Sequence, residues 1–312
     1  PYMFPKDAFA AANAGHSSDR SLNHLSRRGL GSPTQKRAFP ALQFSNVDDV
    51  SVAKGFHWYA LAKYGDVINA QGEIFGECCD FTHFFPGKNK DEGFLWVNHE
   101  YIVDNVIYQK WLNADAKTKA QVDAEMKMVG GSFLELKRTS HGKNKSRWQL
   151  VADSQKAFRI DANTEIPLVG PAGGKVARGS MGNCSGGATP WGSILSGEEN
   201  VEGYFHPAAD WYLGWGRFYQ EPTENYGWVV EVDVENKTAR KLTGLGRYAH
   251  ESATVTLSKE GRVVVYSGDD AMSQCLYKFI SKNRATGDKT KDKDLLLDGD
   301  LYVADLRSAM WI

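Results

Sequence analysis

The chain has 312 residues, 42% of them hydrophobic and 12% aromatic, with a formal net charge of −1. That composition supports a substantial core and gives no basic face for nucleic acid, and no apolar run reaches the roughly 18 residues of a membrane-spanning helix. The four cysteines, Cys78, Cys79, Cys184 and Cys275, show neither the spacing of a disulfide framework nor a C-x-x-C zinc knuckle.

Residues 1–40 lack apolar periodicity and are rich in Ala, Ser, Asn and Arg, which predicts a mobile N-terminal arm. Within it, Ser26-Arg27-Arg28-Gly29-Leu30 has the look of a twin-arginine export signal, although no apolar stretch follows. From residue 41 to 312 short apolar runs are broken by Gly, Asp and Asn. Phe56 to Ala62, Asp80 to Phe85, Gly93 to Val97, Ser132 to Leu136 and Trp148 to Ala152 have strand length and β-branched or aromatic content. So do Gly227 to Val232, Arg262 to Ser267, Leu276 to Ile280 and Asp300 to Ala304. One helix interrupts them: Asn113 can cap it, Ala114 to Val129 carries it with Val122, Met126 and Val129 on one face, and Gly130-Gly131 stops it. The expectation is a mainly β protein, a β-propeller or its first blades, since blades of about 40 to 50 residues divide this length naturally.

Gly179 to Asn200 is the most informative stretch: Cys184 in a glycine-rich turn, a strand-like run, then Glu198 and Glu199. A soft thiolate beside hard carboxylates suits a transition metal, most plausibly iron, better than calcium alone. Three further segments end an apolar run or tight turn in a carboxylate. They are Leu95 to Glu100, Gly246 to Glu251, and Tyr266 to Asp269 and Asp270. Strand ends converging on a propeller axis would gather these acids, and gathered carboxylates repel unless cations lie between them. Successive strand side chains point to opposite faces, so one acid of each adjacent pair can face the site; Glu199 and Asp270 are the preferred ones. Taken singly the residues read otherwise. Glu100 and Glu251, each after a histidine, suit capped strand ends, and Cys184 suits a small buried residue. His99 and His250 suit structural roles, and Arg247 is either a phosphate clamp or a packing arginine. Gly186-Gly187 is not a phosphate loop, because no Gly-Lys-Ser/Thr follows. The joint occurrence of four acidic ends favours metal.

Phe94 to Glu100, Met128 to Ser132, Gly182 to Gly192, Glu198 to Asn200, Leu245 to Glu251 and Val264 to Asp270 occur together and in order. With these segments the chain resembles the PhoX alkaline phosphatases. The resemblance implies a six-bladed β-propeller, a cluster of ferric iron (Fe3+) and calcium (Ca2+), and phosphomonoester hydrolysis in the periplasm or outside the cell, with a metal-bound oxygen as nucleophile and no protein nucleophile. It implies that Cys184 is an iron ligand, that Glu251 and one of Glu198 and Glu199 are cluster ligands, and that Glu100 and Asp270, with Asp269 beside it, are further candidates. Arg247 is the substrate-binding candidate. Family members are longer, with more ligands and a phosphate-binding arginine expected in later blades, so this chain would hold the first blades. The alternatives are a non-catalytic calcium-stabilised propeller that binds a partner, an inactive fragment, a cysteine hydrolase using Cys184 with His250 or His99, and a metal-dependent lactonase. The sequence leaves the oligomeric state open.

Overall fold

The computed structural model describes residues 41–312 apart from 43, 141–145 and 210, so the expected arm over 1–40, with Arg27 and Arg28, lies outside the described residues. Among the described residues sixteen strands form three sheets, joined by four short helices. The first sheet runs in the order β1 (Cys79–Pro86), β2 (Glu92–His99), β3 (Gly130–Ser140) and β4 (Ser146–Leu150), with β5 (Phe158–Ile160) also paired to β3. The second holds β6 (Glu165–Val169), β7 (Val176–Arg178), β8 (Asn183–Ala188), β9 (Ile194–Glu198), β10 (Val229–Asp233) and β11 (Thr238–Leu242). Its order is β7-β6-β11-β10-β9-β8, and β6 joins β11 in parallel. The third is an antiparallel meander of β12 (His250–Leu257), β13 (Arg262–Asp269), β14 (Leu276–Arg284), β15 (Gly299–Asp305) and β16 (Met310–Trp311).

Each sheet is a propeller blade whose innermost strand is its first one towards the axis. These are β1, β8 and β12, and β8 packs against both of the others. Two strands of the middle blade are therefore buried on both faces: β9 along its whole length and β10 over its first four residues. In β9, Ile194 packs with Phe85, Trp96 and Phe133 of the first blade, while Leu195 packs with Val263, Val265 and Phe279 of the third. In β10, Val230 and Val229 divide between the same two clusters. Each such side chain, fully buried, contributes about 1.5–3 kcal/mol. The blades approach closely where side chains are missing: a Cβ on Gly187 would lie 2.0 Å from the Ala253 carbonyl oxygen. The glycines beside Cys184 thus serve contact between strands, and Cys184 sits in β8 itself rather than in a turn.

The apolar runs from Asp80 onward all fall on strands, whereas Phe56 to Ala62 forms none. Phe56 and Trp58 there are 56% and 47% exposed, and no neighbouring strand offers that segment a ladder among the described residues. The helical segment after Asn113 is divided. Asn113 caps a 3₁₀ turn, Ala114–Ala116, by accepting from the Asp115 amide at 2.9 Å. The chain then extends at Lys117, whose buried ammonium pairs with Asp104 at 3.0 Å and Glu125 at 2.9 Å. Thr118 starts the α-helix proper, α2 (Lys119–Glu125), with a reciprocal capping box to Gln121. Val122, Met126 and Val129 are buried as a group with Tyr204, Trp215 and Tyr226. The other helices are single turns: α1 (Asp104–Tyr108), α3 (Glu202–Phe205) and α4 (Lys289–Asp292).

Candidate metal centre

The innermost hairpin of each of the three blades is built to one register. Cys79 pairs with His99, Asn183 with Glu198, and His250 with Asp269. The residue after the inner partner is Asp80, Cys184 or Glu251, and the residue after the outer partner is Glu100, Glu199 or Asp270. One backbone hydrogen bond recurs at each: Glu100 N to Cys78 O at 3.0 Å, Glu199 N to Gly182 O at 2.8 Å, and Asp270 N to Ala249 O at 3.1 Å. A register shift follows on all three inner strands, directly after Cys79 and Asn183 and one residue later, after Glu251, in the third. Such a bulge re-aims the side chains around it, and Ser252, at φ 75°, lies in the third one.

Because the inner strands adjoin at the axis, these six residues meet. Cys184 Sγ lies 3.6 Å from Asp80 Oδ2 and 3.5 Å from Glu251 Oε2. Ligand atoms of Asp80, Glu100 and Cys184 lie within 4.8 Å of one another, as do those of Cys184, Glu199 and Glu251. Asp270 is within hydrogen-bonding reach of Glu199. Cys184 and Glu199 form a buried floor, and Asp80, Glu251 and Asp270 an exposed rim. Burial pushes the Glu199 carboxyl up to about 8, helped by Asp270 and Glu100, and raises Glu100. Burial, then Glu199 and Glu100, push the Cys184 thiol far above its ordinary range. No Lys, Arg or His forms an ion pair with any of the six among the described residues. Five carboxyls and a thiol without an ion-pair partner among the described residues could hold a cation, and a sulfur among hard-oxygen neighbours would suit a transition metal.

The remaining expected site residues have other partners. Glu198 is buried and accepts from the Lys241 ammonium at 2.7 Å and from the Gly227 and Trp228 amides at 3.1 and 3.2 Å. Asp269 caps a turn by accepting from the Ala271 amide. Arg247 donates to the carbonyls of Tyr226 and Thr223 at 2.8 and 2.9 Å, a packing arrangement. Both nitrogens of His99 are engaged, with Glu77 O and Ser132 Oγ, and both of His250, with Ser267 Oγ and Gly246 O. Neither ring has a nitrogen free for Cys184, so neither is placed as the base of a cysteine hydrolase. Sequence reasoning missed Asp80 as a site residue, although it opens a strand run like those that end in the other acids. It also missed Lys241, which no local pattern marks.

A sequence profile described as alkaline phosphatase PhoX matches residues 37–312. The chain belongs to the PhoX alkaline phosphatase family. Among solved structures it is similar to Pseudomonas fluorescens PhoX in complex with vanadate, a transition state analogue, with a TM-score of 0.74 and 27% identity. That likeness covers 85% of this chain and 54% of the other, so this PhoX-family chain spans about half the length of that relative. No protein of curated function matches the sequence significantly.

Proposed function

We propose that this PhoX-family chain carries part or all of the centre of a metal-dependent phosphomonoester hydrolase that holds iron and calcium. The single observation behind this reading is the meeting of Asp80, Glu100, Cys184, Glu199, Glu251 and Asp270 from three blades with no counter-ion. When bound, the metals supply Lewis acidity towards the phosphoryl group and its attacking water. Cys184 and Glu199 would hold the inner ion from the floor, with the thiol giving up its proton on binding. Asp80, Glu100, Glu251 and Asp270 would hold ions at the rim. Tyr101 donates its hydroxyl to Glu100, and Asn200 donates to that hydroxyl at 3.0 Å, so the Glu100 carboxylate is held in orientation from behind. Tyr204 ties the backbone entering β8 to the backbone leaving β2, accepting from Gly182 N at 3.2 Å and donating to Glu100 O at 2.5 Å.

Elemental analysis of the purified chain, paired with a phosphomonoesterase assay with and without chelator, tests the reading. Iron with calcium and chelator-sensitive turnover are expected. Calcium without turnover would instead favour a calcium-stabilised binding module. We also infer that the protein works outside the cytoplasm; the support is Arg27-Arg28 in the sequence, and cell fractionation checks it.

A further inference from the structure

Beside the acidic centre lies a cleft of about 630 Å³ whose wall is largely aromatic. Tyr101, Trp111, Trp211, Tyr212 and Leu213 line it, with Asn200 and Asp104 as its polar side chains besides the tyrosine hydroxyls. It adjoins the centre through Tyr101 and Asn200, which directly follow Glu100 and Glu199 and share one hydrogen bond at 3.0 Å. The Tyr101 hydroxyl reaches Glu100, while its ring meets Trp211 edge-on at 5.8 Å. The Trp211 indole is fixed from behind: it meets Tyr204 edge-on at 5.3 Å and lies flat over Gly203, where a Cβ would stand 2.2 Å from the ring. Trp111, by contrast, is 74% exposed. An indole held out to water at the mouth of an aromatic cleft is a surface that gains from being covered.

We propose that this cleft receives the leaving group of the phosphomonoester and selects one that carries a planar aromatic ring. The proposal rests on the phosphatase reading above. In the reaction the phosphorus–oxygen ester bond breaks, a water oxygen bonds to phosphorus, and the alcohol departs with a proton. The phosphoryl group sits among the acids and their cations, and the ring of the departing alcohol lies between Trp111 and the Tyr101–Trp211 wall. Asn200 and the Tyr101 hydroxyl mark the boundary between the two halves.

The test uses the metal-loaded protein and non-hydrolysable phosphonates. Phenylphosphonate is expected to bind about tenfold more tightly than methylphosphonate, the scale of one good aromatic contact plus ring burial. Trp111→Ala, a change at an exposed side chain that leaves the core intact, should bring that ratio close to one, and Trp211→Phe should reduce it partially. Equal binding of the two phosphonates by the wild-type protein, or an unchanged ratio in Trp111→Ala, overturns the proposal. Ester pairs with similar leaving alcohols, 2-phenylethyl against ethyl phosphate and adenosine 5′-phosphate against ribose 5-phosphate, give kcat/KM as a second readout. A preference for the ring in either pair supports the cleft, and the pair that shows it separates a single ring from a nucleobase. Hydrolysis of every ester without preference overturns the cleft and leaves the phosphatase standing. Phenyl-selective binding with no hydrolysis does the reverse.

Discussion

Glu198 and Glu199 are adjacent and chemically identical, yet one is an ion-pair partner inside a blade and the other a floor of the acidic centre. The strand's two-residue period separates them. Glu198 is fully buried against a fully buried Lys241, whose ammonium also lies 4.2 Å from the Tyr226 ring. Removing one partner leaves the other charge buried without compensation, so Glu198→Gln and Lys241→Met should each lower stability by about 3–5 kcal/mol. The double variant Glu198→Leu with Lys241→Met should lose much less, as read from urea denaturation midpoints. Glu77 gives a second residue-level case. It is 5% exposed, accepts from the Val103 amide at 2.9 Å, and leaves Oε2 without a partner. Burial, with Asp104 and Glu125 nearby, raises its carboxyl to about 7. The folded chain therefore keeps a proton there that the unfolded chain has lost above the ordinary carboxylate range. Stability falls as pH rises from about 4.5 to 7 and the loss is complete above 7. Glu77→Gln should remove this contribution and stabilise the protein at pH 8 by about 1–2 kcal/mol after allowance for solvent screening. Denaturation at pH 5 and pH 8 checks the sign.

At the scale of elements, the recurring unit is a hairpin with an acid or thiol one residue into its inner strand and an acid just past its outer one. The outer acids were legible in the sequence, because Asn98-His99-Glu100, Gly197-Glu198-Glu199 and Gly268-Asp269-Asp270 all end apolar runs. The inner positions were not legible as a set, since Asp80, Cys184 and Glu251 share neither residue type nor flanking motif. What they share is register, a property of pairing. The strands with apolar runs were readable for the ordinary reason that burial selects β-branched and aromatic residues. The break at Lys117 was hidden, because it depends on two carboxylates distant from one another in sequence, Asp104 and Glu125. The same scale gives a test of the axis. A side chain on Gly187 meets the β12 backbone, which cannot yield as a flexible side chain can. Gly187→Val should cost about 1–3 kcal/mol through overpacking. It should also weaken metal retention, measured by elemental analysis after gel filtration, because β8 carries Cys184 and β12 carries Glu251.

For the whole molecule, the centre draws on residues from Asp80 to Asp270, and no single blade supplies more than a pair of its groups. Chelation should therefore be felt far from the ions: the thermal midpoint should fall by several degrees on metal removal, by mass action alone if the ions bind only the folded form, and re-addition should restore it. A thermal scan with and without chelator reads this directly. The fully buried Leu195 and Val229, which join the middle blade to the third, should then lose hydrogen-exchange protection together with the axis. The shared register of the three hairpins has a mechanical consequence. Like charges at matched heights on neighbouring blades act as a wedge when bare and as a clasp around a cation, so one ion sets whether the blades are prised open or locked at their narrowest point.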